Sequence, residues 1–63
     1  MDARYMVTRF NILRPHADRV LAGCDEEKAA REVMRGAQCG RDEGIELIDN
    51  HTGNVVATRG EKR

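Results

Sequence analysis

Sixty-three residues are enough for one domain, and eleven basic side chains cancel eleven acidic ones. A chain this short buries only about 60% of the surface its unfolded form exposes, and a balanced charge creates no strong field toward nucleic acid or a membrane surface. No apolar run approaches the ~20 residues that cross a bilayer, and residues 1–4 lack the apolar stretch of a signal peptide.

These features predict a cytoplasmic chain with reduced cysteines. The whole of 1–63 reads as a single small domain, with frayed ends at about 1–3 and 59–63.

Residues 5–13 read as a strand. Met6, Thr8, Phe10 and Ile12 alternate onto one face, expected to point to the core. Tyr5, Val7, Arg9, Asn11 and Leu13 form a mixed outer face. Residues 14–18 hold the only proline and read as a turn. Val20-Leu21-Ala22 then suits a short strand pairing back on the first. The alternative is the end of a short helix opened by Pro15 and closed by Gly23.

The strongest periodicity predicts a helix over about 25–38. Asp25, Glu26 and Glu27 crowd its first turn, and Lys28, Arg31 and Arg35 follow, in the order that complements the helix dipole. Glu27 and Arg31 stand four apart in the favourable sense. Ala29, Ala30, Val33, Met34 and Ala37 make an apolar stripe. Cys24 or Asp25 is the expected N-cap, and Gly40 the expected terminator.

Residues 44–49 and 54–58 read as two strands joined by Asn50-His51-Thr52-Gly53, a loop suited to a type I turn with glycine in the left-handed position. If Asp49 faces Asn54, Ile48 faces Val55 and Leu47 faces Val56, so both sheet faces carry apolar area. The order is ββαββ, an α+β two-layer sandwich with one helix on an antiparallel sheet.

The chemistry-bearing residues are sparse. Cys24, Cys39, His16 and His51 are the only soft metal ligands, and no pair has zinc-knuckle spacing. A helix between the two cysteines holds them roughly 20 Å apart, beyond a shared metal ion or a disulfide. No histidine adjoins Cys24 to act as base, and three carboxylates follow it, so a reactive thiolate is not expected. The chain contains no serine, which excludes a serine nucleophile. Asp49 with His51, and His16 with Asp18, suit ordinary turns. No catalytic residue, cofactor site or metal site can be assembled, and an enzyme is the least expected class.

Two binding readings remain. The first is a protein-interaction module, self-associating as a homodimer or adapting to another protein, with Ile48 and Val55 as the partner surface. The alternative is a weak RNA- or DNA-binding accessory. Arg4, Arg9, Arg14 and Arg19 recur every five residues. Tyr5, Arg9 and Asn11 on an open strand face could stack and pair with single-stranded bases.

Overall fold

The computed structural model describes residues 3–14, 16 and 18–61. The elements are β1 (Tyr5–Asn11), β2 (Arg19–Cys24), α1 (Glu27–Gly36), β3 (Glu43–Asp49) and β4 (Asn54–Gly60). They form one four-stranded sheet in the order β2-β1-β3-β4, with every neighbour antiparallel. The architecture is α+β, with α1 packed across β2, β1 and β3. Among the described residues no helix is long and apolar enough to cross a membrane.

The strand expected at 20–22 is present and longer, pairing Tyr5 with Cys24 and Arg9 with Arg19 around an irregularity after Val7. The turn expected at 14–18 rests on Pro15 and Ala17, which lie outside the described residues. The chain already begins to turn at Asn11, whose Oδ1 accepts from the backbone N–H groups of Leu13 and Arg14.

The face of β1 that the helix covers is the opposite of the expected one, although Thr8 and Phe10 of the expected core face are buried as well. Tyr5 and Val7 lie in the core beneath the helix, with Ala30, Met34, Ile45 and Leu47. Met6 is only half-buried, and Ile12 is exposed. Alternation alone cannot choose between two faces that both carry apolar groups. The choice belongs to the β2-α1-β3 connection, which crosses β1 on one side and carries the helix with it.

The helix is shorter at both ends than its periodicity suggests. Cys24 is taken by β2, so the N-cap passes to Glu26, whose side chain makes no capping bond. Ala37 is already extended. The end is closed from β4: Arg59 Nη1 donates to the carbonyl oxygens of Met34 at 2.7 Å and Ala37 at 2.6 Å. These are helix-end acceptors left without intrahelical partners. Of the expected stripe, Ala30 and Met34 are buried, Val33 and Ala37 are half-buried and Ala29 is exposed. The Glu27–Arg31 pair forms at 2.9 Å.

The closing hairpin matches its turn chemistry. Gly53 sits at φ 78°. Its N–H donates to the Asp49 carbonyl oxygen at 2.7 Å, and the His51 N–H donates to Asp49 Oδ1 at 2.9 Å. Asp49 pairs with Asn54 and Ile48 with Val55, but Leu47 pairs with Ala57 rather than Val56. The register shift makes Val56 an extra residue, packed against the core. β4 continues through Gly60, past the expected fraying point, because Arg59 is tied to the helix end.

Among the described residues one buried polar side-chain atom has no partner. Thr8 is 7% exposed, and its Oγ1 makes no hydrogen bond. An unsatisfied buried hydroxyl costs about 1–3 kcal/mol. Thr8→Val keeps the branched shape that suits a central strand and removes the orphan. It is expected to raise stability by about 1 kcal/mol, which is ~4–8 °C in Tm at this size. A lower Tm would show that the hydroxyl is bonded in solution.

Candidate partner surface

The strand pairings arrange the face opposite the helix in cross-strand rows. Gly23, Met6, Ile48 and Val55 form one row, since Met6 pairs with both Gly23 and Ile48, and Ile48 pairs with Val55. Val20, Thr8, Glu46 and Thr58 form the next. Phe10, Gly44 and Gly60 form a third.

The first row is apolar across three strands. Val55 is 49% exposed, and Met6 and Ile48 are half-buried. Val20, one row on and 57% exposed, extends the patch along β2. No element among the described residues packs over these side chains, because α1 lies on the other face. Ile48 and Val55 stand where the hairpin pairing predicts, and they are joined here by Met6, expected in the core, and by Val20. Met6 follows from alternation once the covered face is known, whereas Val20 reaches this face through the register shift after Val7, which skips Leu21.

The residues read as a nucleic-acid face do not share an open surface. Tyr5 is 8% exposed beneath the helix, with the Arg4 guanidinium carbon 5.3 Å from its ring centre. Arg9 lies on the helix side and meets Glu43 at 3.6 Å. It borders a cavity of about 400 Å³ with Gln38, Cys39 and Gly40. Asn11 holds the turn after β1. The premise of an open face carrying all three is therefore corrected: the crossover helix takes the side they were expected to present. Both aromatic rings are buried, Phe10 at 1%, so neither offers a platform for base stacking.

The remaining candidates have structural surroundings. Cys24 and Cys39 are free thiols, each half-buried against the core. Cys24 ends a strand rather than starting the helix, and Cys39 Sγ donates to the Glu43 carbonyl oxygen at 2.8 Å. Asp49 anchors the hairpin turn, and Arg4 stands 3.8 Å from it. Among the described residues no three His, Cys, Asp or Glu side chains gather as a metal site.

No protein-family model, curated protein or solved structure matches this chain. Its functional reading rests on its own geometry.

Proposed function

We propose that this chain is a non-enzymatic interaction module that self-associates through the sheet face opposite its helix. The observation that carries this reading is the row Met6, Ile48 and Val55, apolar side chains adjacent on three strands, with no helix or second sheet over them among the described residues. A sheet with one helix buries one face, and a second copy is the simplest cover for the other. Glu46 and Thr58 in the next row supply a polar margin.

Sedimentation equilibrium over a micromolar-to-millimolar dilution series tests the proposal. The wild-type chain is expected to pass from monomer to dimer. Val55→Lys, at an exposed strand position, is expected to stay monomeric with an unchanged far-UV spectrum. A wild-type chain that is monomeric throughout, or a variant that dimerises equally well, would sink the reading.

A further inference from the structure

The helix leaves the outer strand of the sheet partly uncovered. Between α1 and β4 runs a groove of about 300 Å³ lined by Arg31, Met34, Arg35, Ala57, Thr58 and Arg59. Met34 and Ala57 make an apolar floor, and three guanidinium groups stand around it. Only part of their hydrogen-bonding capacity is used. Arg59 spends Nη1 on the helix-end carbonyls, leaving Nε and Nη2 without a partner among the described residues. Arg31 uses Nε on Glu27, and Arg35 has no ion pair among the described residues.

β4 is also an edge. One side of it pairs with β3, and no strand among the described residues lies beside the other. An exposed strand edge is a template for a further strand. The directions agree as well. β2 and β3 both run antiparallel to β1, so the helix returning between them runs in the same general sense as β4.

Arg31 and Arg35 are one turn apart, a rise of about 6 Å. Same-face side chains of an extended peptide recur at about 6.6 Å. Two carboxylates at i and i+2 of a strand added to β4 therefore match the two arginines, and Arg guanidinium groups favour planar carboxylate partners.

We propose that the groove between α1 and β4 binds an extended acidic peptide, with carboxylates two residues apart, as a fifth strand. A polyanion such as single-stranded nucleic acid fits less well, because the floor is aliphatic and both aromatic rings of the chain are buried elsewhere. The site lies on the opposite side of the sheet from the self-association face and does not depend on it.

The test uses the full chain and a fluorescently labelled peptide alternating Glu with Val, followed by anisotropy and by backbone amide shifts. Binding is expected to weaken with added salt and to move the amides of Arg31, Arg35 and residues 57–59. Arg35→Glu, at an exposed site with no ion pair among the described residues, should weaken binding by about tenfold or more, as should a peptide with Gln in place of Glu. Val55→Lys should leave the affinity unchanged. The proposal is overturned if the peptide does not bind, if Arg35→Glu leaves its affinity unchanged, if Val55→Lys abolishes binding, or if a single-stranded DNA oligomer binds this groove more tightly than the peptide.

Discussion

Leu47→Ala is expected to lower unfolding stability by about 2–5 kcal/mol. Leu47 is fully buried in the centre of β3, between Val7 of β1 and Ala57 of β4 and beneath the helix. The helix above it presents chiefly Ala30 and Met34, and an alanine cannot move to fill a void. Total stability for domains is about 5–15 kcal/mol, and a thin core places this chain toward the lower end. The substitution should therefore leave a substantial unfolded fraction near body temperature. Leu13→Ala is the control, since Leu13 is 70% exposed and surface changes stay within about 0.5 kcal/mol. Urea midpoints measure both. Equal midpoints for the two variants would show that Leu47 is not in the core.

Gly44→Ala should cost about 1–3 kcal/mol, although the change adds a single methyl group. Gly44 faces Phe10 across the β1–β3 ladder. A Cβ built there collides with the Phe10 ring and with the Glu61 carbonyl oxygen. The absence of a side chain lets the ring lie across the strand, which explains how Phe10 reaches 1% exposure on the face without a helix. Glu61 is drawn in by its N–H bond to the Glu43 carbonyl oxygen at 3.1 Å. Adding the methyl group forces the ring or the chain end away. Gly36→Ala should act in the opposite direction. Gly36 is the last helical residue, and an added Cβ meets nothing within 4 Å. The expected gain is about 0.4–1 kcal/mol, through the reduced freedom of the unfolded chain and better helix propensity. Thermal unfolding of the two variants measures both signs, and a stabilising Gly44→Ala would overturn this account of Phe10.

Much of the candidate surface was legible in the residues. Ile48 and Val55 could be paired from the turn alone, because Gly53 and Asp49 specify where the hairpin closes. Arg59 was not legible. Nothing local distinguishes it from the other polar residues near the chain end, yet it closes the helix and lines the groove. Its partners lie 25 and 22 residues away in sequence, so no window of adjacent residues contains the interaction.

The residues alone determined the order ββαββ, the helix at Ala30 to Met34 and the hairpin at Gly53. These depend on periodicity and turn chemistry, which act over a few neighbouring positions. Tertiary structure decided which face of β1 is covered, and with it the fate of Tyr5 and Arg9. It also decided where the helix stops. Both follow from the path of the β2-α1-β3 crossover and from contacts made across the sheet. A strand with apolar groups on both faces carries no local record of the side its helix will take.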